Sequence, residues 1–143
     1  MEQEISFFSQ EIEFQLADEE SVSAWLVDIA AHEGRLIGEL NYVFVDDEQL
    51  ASMNEELLQH DTYTDILTFP LHEPGDEMIF GDIFISVDRV RENAKDFGQS
   101  FKDELHRVMA HGVLHMLGHD DLDDESEAEM RVAEDFALSL RRF

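Results

Sequence analysis

The chain has 143 residues, enough for one domain built on a single core. It carries 35 Asp and Glu against 9 Lys and Arg, a formal net charge of −26, which excludes nucleic-acid binding through a generally basic surface. It has no cysteine, hence neither disulfides nor thiolate metal sites, and no apolar run approaches the ~18 residues of a membrane span. The N-terminal stretch MEQEISFFSQE is acidic and lacks the basic flank of a signal peptide, so the expected location is the cytoplasm.

In chain order, Ile5 and Phe7 followed by the alternation Ile12, Phe14 and Leu16 predict a strand or a bent pair over Glu4–Leu16. Between Asp18 and Gly34, Val22, Trp25, Leu26, Ile29 and Ala30 make a helical stripe with Trp25 in the core. Gly38–Val45 reads as a strand. Asp46 and Asp47 cap a helix that sets Leu50, Met53, Asn54 and Leu57 on one side. A loop over His60–Tyr63 leads into a strand over Thr64–Leu71. His72-Glu73-Pro74-Gly75-Asp76 is turn chemistry, and Met78–Ser86 is a second strand, so the two are expected to form an antiparallel hairpin. Val87–Phe97 is a short basic helix bearing Arg89, Arg91 and Lys95, ended by Gly98. Ser126–Phe143 closes the chain as an amphipathic helix through Met130, Ala133, Phe136, Ala137 and Leu140. No repeat or linker divides residues 1–143, which are expected to form a single domain of α/β (α+β mixed) class. Its architecture is a small mixed sheet of about four strands covered by helices, with a buried metal-binding helix.

That helix lies in Ser100–Asp121, SFKDELHRVMAHGVLHMLGHDD. Ser100 is an N-cap with Asp103 in the position of a capping-box acid, and Gly118 is a C′ stop. Leu105, Val108, Met109, Val113, Leu114, Met116 and Leu117 spread around most of the circumference, as in a buried helix. Within it His111 and His115 stand four residues apart on one face, the spacing at which two imidazoles grip one transition metal. Gly118 can turn the chain so that Asp121 approaches as a third ligand. His119, four residues after His115, is the rival third ligand if the helix continues. The pattern shares its spacing with the zinc helix of metzincin proteases, but Gly112 stands where those enzymes carry their Glu general base. Arg107, one turn before His111, is a candidate clamp for a substrate phosphate, against a plain ion pair with Glu104. His106 is expected at the surface. Asp120–Glu129 holds seven acids in ten residues and reads as a solvated approach to the last helix.

The run His111-Gly112-Val113-Leu114-His115-Met116-Leu117-Gly118-His119-Asp120-Asp121 resembles the signature His-Gly-x-Leu-His-Leu-x-Gly-Tyr-Asp-His of the YbeY endoribonucleases. Thr64-Asp65-Ile66-Leu67-Thr68-Phe69-Pro70 and Phe80-Gly81-Asp82-Ile83-Phe84-Ile85-Ser86 are similar to two further blocks of that family, in the same order. The chain departs from the pattern in three places. The third histidine of the family falls on Asp121, its tyrosine on His119, and an arginine thought important to its activity on Leu58, within Leu57-Leu58-Gln59-His60-Asp61.

The resemblance implies a single-strand-preferring, metal-dependent endoribonuclease of ribosomal RNA maturation. Its partners would be rRNA precursors and ribosomal proteins, with no membrane and no DNA. His111, His115 and Asp121 would hold one divalent ion, zinc first. A carboxylate in place of the third imidazole makes harder ions such as Mn²⁺ more competitive. RNA would then meet a local basic patch formed by Arg89, Arg91, Lys95 and Arg107. Two other readings stand beside this one. A zinc peptidase or other metallohydrolase has Gly112 against it, and a non-catalytic ribosome-assembly factor would be stapled by its metal.

Overall fold

The computed structural model describes residues 3–58 and 64–143. Its strands are β1 (Glu4–Ser9), β2 (Leu36–Val45), β3 (Ile66–Pro70) and β4 (Met78–Ser86). Its helices are α1 (Glu19–Ala31), α2 (Asp47–Leu58), α3 (Val87–Asp96), α4 (Phe101–Met116) and α5 (Asp124–Ser139). The sheet runs in the order β1-β2-β4-β3. The β1/β2 and β2/β4 pairs are parallel and the β3/β4 pair antiparallel, so the expected mixed α/β class and the expected hairpin are both present. A parallel neighbour needs a crossover, and α1 supplies it between β1 and β2.

The first strand is shorter than its alternation predicts. It stops at Ser9, and Glu11 adopts a left-handed φ of 59°, so Phe14 leaves the sheet and packs on Phe44 and Phe101 instead. Alternate residues along the strands face two separate apolar layers. Leu40, Tyr42, Phe44, Ile83 and Ile85 join the main core with α1, α4 and α5. Val43, Val45, Leu67, Phe69 and Phe84 pack with Leu50 and Met53 of α2 in a smaller cluster.

The caps of α4 are local and follow the sequence. The Ser100 hydroxyl accepts from the Asp103 N–H at 3.0 Å. At the other end the Gly118 N–H donates to the His115 carbonyl and the His119 N–H to the Leu114 carbonyl, a Schellman pair closed by Gly118 at φ 105°. Tertiary contacts then fix the helix on the sheet. The Tyr42 hydroxyl, fully buried, donates to the Met109 carbonyl at 2.8 Å. The Phe80 N–H donates to His72 Nδ1 at 3.1 Å, which leaves His72 Nε2 to donate to the Met116 carbonyl at 3.0 Å. A Cβ on Gly112 would stand 2.9 Å from Ile83 Cδ1 and 3.1 Å from Ile66 Cδ1, so this glycine faces the sheet where a side chain has little room.

Two expectations fail at the other end of the core. His106 is 3% exposed, not at the surface. It lies among Trp25 and Phe143, with ring centroids 5.3 and 5.4 Å away, and its Nδ1 accepts from the Arg141 guanidinium at 2.9 Å. An arginine can only donate, so the imidazole there is neutral with its proton on Nε2. Phe136, read as part of the buried stripe of α5, is half exposed and packs edge-on against His32. Glu134 takes the buried place on that stripe. Among the described residues, no helix is long and apolar enough to cross a membrane. The side chain of Leu58 and the loop expected at His60–Tyr63 lie outside the described residues.

Candidate metal centre and cleft

His111 and His115 project from the same face of α4 with ring centroids 4.6 Å apart, edge to face. The turn at Gly118 brings Asp121 back beneath them. Its Oδ2 lies 3.6 Å from His111 Nε2 and its Oδ1 3.5 Å from His115 Nε2. One ligand atom from each residue lies within 4.8 Å of the others. Donors about 2.1 Å from a tetrahedral ion stand about 3.4 Å apart, so the spacing found here suits one divalent ion with little adjustment. His119 turns the other way, its Nε2 meeting both carboxylate oxygens of Glu33 at 3.0 and 2.8 Å.

Glu134, one face of α5, completes the arrangement. Its Oε2 accepts from His111 Nδ1 at 2.7 Å, which leaves His111 Nε2 directed towards Asp121. A carboxylate behind a ligating imidazole fixes its tautomer and orientation. The same Glu134 accepts from Arg107 Nη1 at 2.9 Å, and Arg107 Nη2 donates to Asp135 at 2.6 Å. Arg107 thus pairs with acids of α5 rather than with Glu104, and both ends of its fork are engaged.

These pairings set the charges. Burial disfavours a charge on Glu134, but hydrogen bonds from His111 and Arg107 outweigh it and hold the carboxyl below its usual range. Burial likewise opposes a proton on His111, yet the Glu134 bond and charge, with Asp121 and Asp65 behind them, raise its pKa. His115 is pushed down, by burial first and then by His111. The donor set is therefore two imidazoles and a carboxylate, with the buried negative charge of Glu134 beside them. That chemistry fits a borderline cation.

The site opens into a cleft of about 700 Å³ between the outer side of β3, α4 and α5. Among the described residues the cations lining it are Arg107 and Arg131. Arg89, Arg91 and Lys95 are not among the residues that line it. Arg89 bonds Asp47 at 2.6 Å, and Arg91 lies over the Phe101 ring at 5.2 Å. Of the expected basic patch, among the described residues, Arg107 alone lines the cleft, and α3 presents Asn93 and Phe97 to it. Asp65 lines it too; burial pushes its carboxyl up, and the charge of His111 pulls against that.

Sequence reading missed Glu134. Its one signal was a carboxylate four residues after Met130 and three before Ala137, inside the buried stripe of an otherwise ordinary amphipathic helix.

Comparison with known proteins places these features in a family. The sequence model of the family described as Endoribonuclease YbeY matches residues 4–140. The chain is 47% identical over 142 residues to the Endoribonuclease YbeY of Cytophaga hutchinsonii, covering 99% of each. It is 47% identical over 133 residues to that of Flavobacterium psychrophilum (93% of this chain, 94% of the relative) and 39% identical over 138 residues to that of Porphyromonas gingivalis (96% and 90%). Its structure resembles the solution structure of TM1509 from Thermotoga maritima, with a TM-score of 0.64 and 27% identity. That match covers 95% of this chain and 87% of the other.

Proposed function

The chain belongs to the Endoribonuclease YbeY family, and on that premise we propose that it is a hydrolytic, metal-dependent endoribonuclease of ribosomal RNA processing. In this reading residues 1–143 act as a single domain in the cytoplasm. The substrate is an unpaired stretch of an rRNA precursor, presented together with ribosomal proteins; neither DNA nor a membrane takes part.

The observation that carries the reading is the convergence of His111, His115 and Asp121 in a cleft, with His111 braced by Glu134. These three residues would hold one divalent ion, zinc before manganese. When bound, such an ion supplies a Lewis acid that polarises a phosphoryl oxygen and makes water acidic enough to ionise near neutral pH. The chain's own residues do the rest. Glu134 keeps the proton of His111 on Nδ1, so that Nε2 faces Asp121. Arg107 secures Glu134 and Asp135, and through Glu134 acts as a positioning residue. Release of Asp135, the more exposed of its two partners, would free one end of the guanidinium for a substrate phosphate.

The peptidase reading is not favoured. Gly112 points at Ile83 and Ile66, so the protein has neither a general base at that position nor space for one. The assembly-factor reading differs in its response to chelation, which would unfold a metal-stapled domain. The test pairs metal content with cleavage of a single-stranded rRNA fragment. Wild type is expected to bind about one ion and cut the RNA, and His115→Ala to lose both activities while keeping its helical spectrum. Undiminished cleavage by His115→Ala would overturn the proposal.

A further inference from the structure

The chain has a net charge of −26, and among the described residues its cleft sets Arg107 and Arg131 against five carboxylates, a weak lining for phosphate contacts. Contacts to the bases would add to the hold on an RNA strand, and one end of the cleft suits them. Phe97, the C-cap of α3, is 61% exposed, and among the described residues its ring packs on no other aromatic. Aromatic side chains exposed beside a groove serve as stacking platforms in proteins that bind single strands. Asn93, one helical turn earlier, and Gln99, just beyond, line the same end. Gly98, at φ 65°, makes the turn that sets Phe97 and Gln99 at the mouth of α4.

Glu104 forms the floor. It sits in the first turn of α4 and lines the cleft although only 6% of it is exposed, and among the described residues its carboxylate accepts no hydrogen bond. Its oxygens still reach the solvent of the cleft, and the charges of Asp65 and Glu134 act on them against those of Arg107 and Arg131. A ligand that brings N–H donors can take the place of that solvent. Glu104 stands seven residues before His111 on the same face, about 10 Å along the helix. A base bound there belongs to a nucleotide near the phosphate held at the candidate metal centre.

We infer that this end of the cleft is a nucleobase subsite, in which Phe97 stacks on an unpaired base and Glu104 accepts hydrogen bonds from its Watson–Crick edge, with guanine the best fit. An ionised carboxylate only accepts. Guanine offers two adjacent donors, N1–H and the N2 amino group, and matches both oxygens. Adenine and cytosine offer one amino group beside an unprotonated ring nitrogen, and uracil one N–H between two carbonyls. The subsite rests on the endoribonuclease reading and gives it a sequence preference.

Fluorescence anisotropy of 2′-O-methyl hexanucleotides, oligo-U carrying a single G, inosine or A, tests the subsite on the whole protein. Wild type is expected to bind the G oligonucleotide about tenfold tighter than the inosine or A versions, since inosine lacks the N2 donor. Phe97→Ala, and Phe97→Leu likewise, are expected to weaken every oligonucleotide about tenfold, and Glu104→Gln to abolish the preference for G. Phe97 is exposed, so that arm stands even if Glu104→Gln fails to fold. Unchanged affinity in both Phe97 variants, or a preference for G that survives Glu104→Gln, would overturn the subsite. If wild type meanwhile still cuts rRNA, the endoribonuclease reading survives alone; if wild type neither binds nor cuts RNA, both fall.

Discussion

His111 Nδ1 donates to Glu134 Oε2 at 2.7 Å, joining the middle of α4 to the buried face of α5 across 23 residues of sequence. This bond decides which nitrogen of His111 looks into the cleft. Replacing Glu134 with Gln keeps an acceptor but removes the charge that raises the basicity of the ring. Zinc affinity, read by competition with a chromogenic chelator, is expected to fall 10–100-fold in Glu134→Gln and further in Glu134→Ala, as for other carboxylates behind a ligating imidazole. Unchanged affinity in both variants would mean that the imidazole is held by its own packing.

Chelation is expected to leave the fold standing. The contacts that seat α4 are the Tyr42 hydroxyl on the Met109 carbonyl, His72 on the Met116 carbonyl and Gly112 against Ile83. None of them passes through His111, His115 or Asp121. Treatment with EDTA should therefore abolish RNA cleavage while the far-UV circular dichroism is retained and the melting temperature drops only by the binding term. Collapse of the helical signal would favour a structural staple.

Gly112 separates nuclease from peptidase. Placing the missing protease base there, Gly112→Glu, drives a carboxylate between α4 and the sheet, into the fully buried Ile83. The variant is expected to lose more than about 3 kcal/mol of stability in urea unfolding and to gain no peptidase activity. A stable Gly112→Glu protein would show that α4 stands off the sheet.

His106 gives the fold a pH dependence of its own. Burial first, then Arg141 and Lys102, depress its pKa to about 4. The unfolded chain binds a proton near pH 6.5 that the folded chain refuses until about pH 4. The contribution is thus fully present above pH 6.5 and is lost as pH falls from there to about 4. Discounted for solvent screening, it amounts to about 2 kcal/mol. Urea titrations at pH 7 and 4.5 should show wild type losing about that much more stability than His106→Gln. Equal losses would mean that the ring titrates as in water.

The parts legible in the sequence were those decided within a few residues. Ser100 and Gly118 bound α4 because caps are local, and the spacing from His111 to Asp121 encodes a turn that Gly118 makes possible. The hairpin of β3 and β4 follows from its turn residues and alternation. What escaped was decided between elements. Arg89 looked like part of an RNA-binding patch until Asp47 on another helix claimed it. His106 looked exposed because the Trp25 and Phe143 rings that bury it lie far off in sequence. Glu134 carries no local mark beyond being an acid on an apolar stripe, and its purpose appears only when α5 lies beside His111.

Anomalous diffraction at the zinc edge from crystals soaked in zinc bears most directly on the central claim. The account predicts one strong peak between His111 Nε2, His115 Nε2 and the Asp121 carboxylate, with Glu134 still bonded to His111 Nδ1. A soaked crystal with no peak there, or with the ion held by His119 and Glu33 instead, would contradict it.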